Sequence, residues 1–249
     1  MWFLTTRELD ILRENAKVHK EVWKEIKKRA LPWVSAIEIN TLVWEICKKY
    51  DVLPAFKWFH GFPSNICISV NDVVVHGIAR KSIVFKDGDV VKFDFWVRDK
   101  IVGVNTDACI TIIIWEGPHN PEHERLIKVN KEALKRAVKE ARNGNRTWDI
   151  GYAVQSYVEA QGFYVIKDLT GHALGKTLHE KPYIYNYGKK WTGEKLKAGM
   201  LIAIEPILGL TSGQIYDKGD WEIYGEWWSI GTQFEHTVLI TEGDPEIII

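Results

Sequence analysis

The sequence predicts an α+β fold in which two similar α/β halves pack as one pseudo-symmetric domain and antiparallel strands close the chain. Three observations carry this expectation. The order helix, short break, capped helix, strand occurs twice, over residues 6–69 and 122–166. Two β-branched runs flank a polar turn between Lys86 and Ile114, and residues 199–249 alternate apolar with polar side chains. With 249 residues and 46% hydrophobic content there is ample material for a buried core, and residues 1–249 are expected to form a single domain.

Leu9, Leu12, Ala16, Val22 and Ile26 recur among charges at helical spacing, so residues 6–29 read as an amphipathic helix that Pro32 stops. Ser35 and Glu38 form a capping-box pattern opening a second helix to Tyr50, with Ile39, Leu42, Val43 and Ile46 inward. Pro54 and a loop lead to a short strand at 66–70, the turn Asn71-Asp72, and a strand at 73–75 that ends in His76-Gly77. The hairpin at 86–114 turns at Arg98-Asp99-Lys100. Gly117 and Pro118 break the chain, and residues 122–142 form a second long helix ended by Asn143-Gly144-Asn145. Thr147 is expected to cap a further helix to Gln161, with Gly162 closing it before a strand at 163–166. His19, His60, His119 and His123 lie in polar or helical contexts and are read as surface residues.

Lys+Arg and Asp+Glu balance at 33 each, so no net field draws nucleic acid or an anionic membrane. Three apolar residues at the N-terminus are too few for a signal segment, and no run approaches membrane-spanning length, which makes the expected location cytoplasmic. Cys47, Cys67 and Cys109 are odd in number and without a CxxC, so they are expected to be reduced thiols.

The chemistry is signalled by acids inside strand patterns: Asp94, Asp107, Glu205 and Glu235. A carboxylate is poor strand material and costly to bury. One alone is ordinarily the partner of a buried cation or an edge-strand charge. Four together, with no matching cation expected in the same strands, would repel one another unless a metal neutralised them. His172, between Gly171 and Gly175, offers an imidazole on a backbone free to come close. Four carboxylates and one imidazole suit two divalent ions roughly 3.5 to 4 Å apart that share and activate a water.

The segments GFPSNICISVNDVVVHGI, DGDVVKFDF, TDACITI, GHALGKTLHEKP, AIEPIL and GTQFEHTVLI, in this order, closely resemble those of type I methionine aminopeptidases, over residues 9–241. The short interval from His172 to Glu205 leaves no room for the helical insertion of type II enzymes. The resemblance implies the pita-bread fold, two pseudo-symmetric α/β halves around a curved antiparallel sheet. It implies that Asp94, Asp107, His172, Glu205 and Glu235 hold two divalent ions, Mn, Fe, Co or Zn, with Asp107 and Glu235 bridging and Glu205 as general base. His76 would contact substrate near the scissile amide, and His179 would stabilise the tetrahedral intermediate. Phe59, Phe62, Cys67, Leu178 and Trp221 would line the methionine pocket, although plain core packing is the simpler reading of each. The implied reaction is removal of the initiator methionine from nascent polypeptides with a small second residue. A transient ribosome contact and a monomeric chain, with no nucleic-acid or membrane partner, are expected alongside. The runner-up readings are an Xaa-Pro-type pita-bread peptidase and a catalytically impaired binding member of the fold.

Three departures from that pattern stand out. The family's usual spacing places the second aspartate at Asn105; Asp107 is preferred because TDACITI matches locally and two extra turn residues preserve side-chain parity. Phe56 stands where many relatives carry a small pocket residue, which predicts a tighter site. Most unusual are the 12 tryptophans. Trp33, Trp58, Trp96, Trp148 and Trp228, and also Trp44, Trp115 and Trp191, occupy contexts where glycine is expected, which suggests UGA codons read as glycine in the source organism. Trp96, two residues after Asp94, is expected to face the metal ligands and crowd the site.

Overall fold

The computed structural model describes residues 4–115, 117 and 120–249, without the side chain of Trp58; Pro118, His119 and that side chain lie outside the described residues. Four helices appear where the apolar stripes place them: α1 (Thr6–Arg29), α2 (Ala36–Tyr50), α3 (Pro121–Glu140) and α4 (Thr147–Ala160). Thr5 and Glu8 cap α1 reciprocally, Thr5 Oγ1 accepting from Glu8 N at 3.3 Å and Glu8 accepting from Thr5 N at 2.8 Å. Glu38 accepts from Ser35 N at 2.9 Å at the start of α2, as the capping pattern predicts. The start of α4 differs from expectation. Arg146 is the N-cap and Thr147 the first helical residue, because Thr147 Oγ1 instead accepts from Glu194 N at 3.2 Å.

The strands follow in order. The first half holds β1 (Leu53–Pro54), β2 (Cys67–Val70), β3 (Val73–Val75), β4 (Val90–Arg98) and β5 (Asn105–Ile113). The second holds β6 (Tyr164–Val165), β7 (Thr170–Ala173), β8 (Glu180–Tyr185), β9 (Leu201–Ile204) and β10 (Ile207–Gly209). It continues with β11 (Ile215–Asp217), β12 (Ile223–Gly225), β13 (Gly231–Gln233), β14 (His236–Leu239) and β15 (Glu246–Ile247). The ladders between them are antiparallel. β4 carries β5 along one edge and β2 and β1 along the other, while β15-β14-β9-β7-β8 form a five-stranded sheet. These elements are the pita-bread architecture, two α/β halves around curved sheets.

Each half has its own core. Val22 and Ile26 of α1 and Ile39 and Val43 of α2 pack on Val91, Phe93, Phe95 and Val97 of β4. Leu126, Ala133 and Leu134 of α3 and Val154 and Val158 of α4 pack with Ile202, Ile204 and Val238. Each such fully buried side chain contributes about 1.5–3 kcal/mol. Because β4 alternates, anchoring Phe93 and Phe95 under the helices turns Lys92, Asp94 and Trp96 to the opposite face. The halves join on that face. Glu235 N donates to Cys109 O at 3.0 Å, and Thr237 Oγ1 accepts from Asp107 N at 2.9 Å while donating to Asp107 O at 2.7 Å. Among the described residues no helix is long and apolar enough to cross a membrane.

His19 corrects an expectation. It is fully buried, with Nε2 3.1 Å from Thr106 Oγ1 and its ring beside Trp23 and Phe95. The helical face that carries Leu12, Ala16 and Val22 also carries this imidazole, and the Thr106 hydroxyl makes its burial tolerable. Burial lowers its pKa from 6.5 to about 3, so it is neutral in the folded chain. A His held neutral stabilises the fold above its unfolded pKa, and that contribution is lost as pH falls toward the folded value. Below pH 6.5 each unit should cost up to about 1.4 kcal/mol through this residue. Chemical denaturation of the parent and of His19→Leu from pH 7.5 to 5 should give the shallower slope in the variant; parallel slopes would rule out the buried neutral state.

Candidate metal centre

On the β4–β5 hairpin Asp94 pairs with Cys109 and Trp96 with Asp107, which places both aspartates on one face, diagonal to each other. The second half brings three more groups to the same place. His172 lies in β7 between β8 and β9, Glu205 directly follows β9, and Glu235 sits between β13 and β14. A Cβ at Gly171 would lie 2.3 Å from Ala203 O, so glycine is what lets β7 seat His172 against β9.

Ligand atoms of Asp107, His172 and Glu235 lie within 4.8 Å of one another, and all three residues are buried. His172 Nε2 is 3.7 Å from Glu205 Oε1, and Asp94 is diagonal to Asp107 across the hairpin. His172 Nδ1 lies 3.1 Å from Ala173 O; donating that proton leaves Nε2 as the free donor atom facing the carboxylates. Burial first, then His179, lowers the His172 pKa to about 3, so the imidazole is neutral and available to a cation. The carboxylates shift oppositely. Burial raises Asp94 to about 7, and burial with mutual repulsion holds Asp107, Glu205 and Glu235 well above the usual carboxylate range.

The donor set fits a divalent metal. Asp94 Oδ1, Asp107 Oδ1 and Glu235 Oε1 are buried without any hydrogen-bond partner, a costly state that a hard cation relieves. One buried cation is present on the same strand, against expectation. Lys92 is fully buried, but its Nζ donates to Asn71 O at 2.7 Å, and burial lowers its pKa to about 7. The Asn71 carbonyl, held at the turn before β3, takes the ammonium and leaves the acids uncompensated.

Asn105 is turned elsewhere: its Nδ2 donates to Gly175 O at 2.7 Å and its Oδ1 accepts from Trp96 Nε1 at 2.8 Å. Gln233, which sequence reading passed over, donates to Glu205 Oε2 at 3.1 Å and is itself buried. Its signal was the strand parity of QFEH, which puts it on the face of Glu235.

A cleft of about 300 Å³ opens over the acids. Beside Asp94, Asp107, His172, Glu205 and Glu235 it is bounded by Phe56, His76, Thr170, His179 and Tyr183. His179 stacks edge-on against His172 with centroids 4.4 Å apart, and His76 has a left-handed backbone, φ 58°. The expected pocket residues are next to the cleft but do not bound it. Phe59, Phe62, Cys67, Leu178 and Trp221 pack with Ala55, Phe56 and Trp96 as one apolar cluster. The Trp96 ring meets Phe56 at 5.8 Å and Phe59 at 5.5 Å, both edge to face.

Residues 10–242 match the model of metallopeptidase family M24. The chain is similar to a methionine aminopeptidase of Clostridium acetobutylicum, 36% identical over 242 residues that cover 97% of this chain and 95% of the relative. Its structure is similar to a methionine aminopeptidase from Thermotoga maritima, with TM-score 0.95 and 37% identity over 100% of this chain and 98% of the other. The corresponding values for the Rickettsia prowazekii enzyme are 0.94 and 32%, over 100% and 99%.

The two asparagine and aspartate positions are separable by calorimetric titration with Mn(II). Asp107→Asn should weaken binding by more than about 100-fold, whereas Asn105→Ala should leave it within a few-fold. The reverse order would assign the ligand to Asn105.

Proposed function

The chain belongs to metallopeptidase family M24, and we propose that it is a methionyl aminopeptidase, releasing N-terminal methionine from nascent polypeptides whose second residue is small. The coarser statement, a metal-dependent peptidase of pita-bread fold, is the premise. The observation that carries the proposal is the convergence of Asp94, Asp107, His172, Glu205 and Glu235 at one buried point beside an apolar cluster, in a chain about one-third identical to methionine aminopeptidases. That donor set is chemically suited to two divalent ions, which these five residues would hold.

When bound, such ions lower the pKa of a water and polarise the scissile carbonyl. The chain's own residues do the rest. Glu205 is the general base: it takes the proton from the attacking water and returns it to the departing amine. Gln233 holds the carboxylate of Glu205 through a 3.1 Å hydrogen bond, which orients it for that transfer. His179, on the wall of the cleft beside His172, donates to the oxygen on which charge develops, and His76, which also lines the cleft, contacts the substrate amide. The cluster of Phe59, Phe62, Cys67, Leu178 and Trp221 would receive the first side chain of the substrate where Trp96 does not fill it.

Incubation of the Trp96→Gly chain, in which the apolar cluster is cleared, with Met-Ala-Ser in Mn(II) should release methionine, while Xaa-Pro peptides should remain intact. Glu205→Gln should lower the rate by on the order of 10²–10⁴ with the variant still binding metal. Preferential cleavage of Xaa-Pro bonds would transfer the assignment to the proline-directed branch of the fold.

A further inference from the structure

Among the described residues, eight non-glycine positions have left-handed backbones. Four are Asp51, His60, Asn71 and His76, residue types whose short polar or imidazole side chains tolerate this region. The other four are all tryptophan: Trp33 at φ 75°, Trp191 at 67°, Trp227 at 56° and Trp228 at 53°. None of the described Phe, Tyr or β-branched residues appears with them. Bulky residues are genuine outliers here, and glycine is the residue that adopts the conformation freely.

Nothing compensates the strain. Each of these indoles is 77–79% exposed, so it buries almost nothing in return. The backbone is set by its neighbours instead. Trp33 N donates to Phe85 O at 2.9 Å, Trp191 N donates to Asp149 Oδ1 at 2.7 Å, and Ser229 N closes the Trp227-Trp228 turn on Glu226 O at 3.0 Å. The turns are therefore fixed by groups other than the indoles, in a form suited to glycine.

A separate observation concerns Trp96. It is only 5% exposed and stands on the face of β4 that carries Asp94. Its indole belongs to the cluster expected to receive the substrate side chain, so that Phe59, Phe62, Cys67, Leu178 and Trp221 close on one another and on it. Asn105 holds it there through the 2.8 Å bond to Nε1. A residue without a side chain at 96 would turn this closed cluster into a pocket continuous with the cleft over the acids.

A disturbance confined to one residue type originates at the codon, and UGA is a codon whose meaning varies among genetic codes. We infer that positions 33, 191, 227, 228 and 96 are glycine in the native polypeptide, encoded as UGA, and that position 96 decides whether the side-chain pocket is open. With glycine at 96 the pocket takes a long, unbranched apolar side chain; with tryptophan it is filled. The part concerning the pocket rests on the peptidase reading above, and the part concerning the turns does not.

The codons of the native gene and the intact mass of the protein from its source cells test the identity directly: UGA and glycine masses are expected, and UGG at these positions would overturn it. The recombinant chain carrying Trp33→Gly, Trp191→Gly, Trp227→Gly and Trp228→Gly should melt at least about 4 °C higher than the parent; an unchanged or lower midpoint would refute the strain. Trp96→Gly, with Trp96→Ala as a second variant should glycine unfold the strand, should bind L-norleucine at least tenfold more tightly by calorimetry. Equal binding by parent and variants would refute the pocket. Tighter norleucine binding without Met-Ala-Ser cleavage would keep the pocket and reject the peptidase reading.

Discussion

Four carboxylates share one buried site, and the rest of the structure is arranged around the cost of holding them there. Removal from water pushes all four toward their protonated forms, and repulsion between neighbouring carboxylates adds to it at Asp107, Glu205 and Glu235. The single buried ammonium on the same strand is committed to a turn carbonyl. A divalent cation is the natural counter-charge, and the orphaned oxygens of Asp94, Asp107 and Glu235 mark where it would act.

The two-core design explains how such a site stays rigid. Asp94 and Asp107 come from the hairpin anchored under α1 and α2, while His172, Glu205 and Glu235 come from strands anchored under α3 and α4. Neither half holds the set alone. Thr237, the Cys109–Glu235 backbone bond and the Gln233–Glu205 bond cross or brace the seam, so the four acids and His172 are positioned by the same contacts that join the halves. The alternation of β4 does the sorting: aromatic side chains go to the core, and Lys92, Asp94 and Trp96 go to the site.

That same alternation makes position 96 consequential. A side chain two residues from a ligand on a regular strand has to face the chemistry, and an indole there takes up the space that the adjacent aromatic residues enclose. The exposed tryptophans are a different matter, local strain at turns whose hydrogen bonds are set by other residues.

Much of the fold and of the site was legible in the residues. The helices follow from apolar periodicity, the cap of α2 from Ser35 and Glu38, and the two-strand core of the site from β-branched runs. The acids announce themselves because carboxylates are out of place in strands. What the sequence could not express was direction at long range. His19 looked like a helix-surface residue, because nothing local reveals that Thr106, 87 positions away, supplies its partner. No buried cation was expected in these strands until the fold delivered the Asn71 carbonyl to Lys92. Thr147 read as a cap until Glu194 claimed its hydroxyl. By itself the sequence determined which groups are chemically able to hold a cation and on which strand faces they lie, since those depend on residue type and period. Only the tertiary structure decided which of them meet, which partners they keep, and which aromatic rings the Trp96 indole packs against, because those depend on distances between segments far apart in the chain.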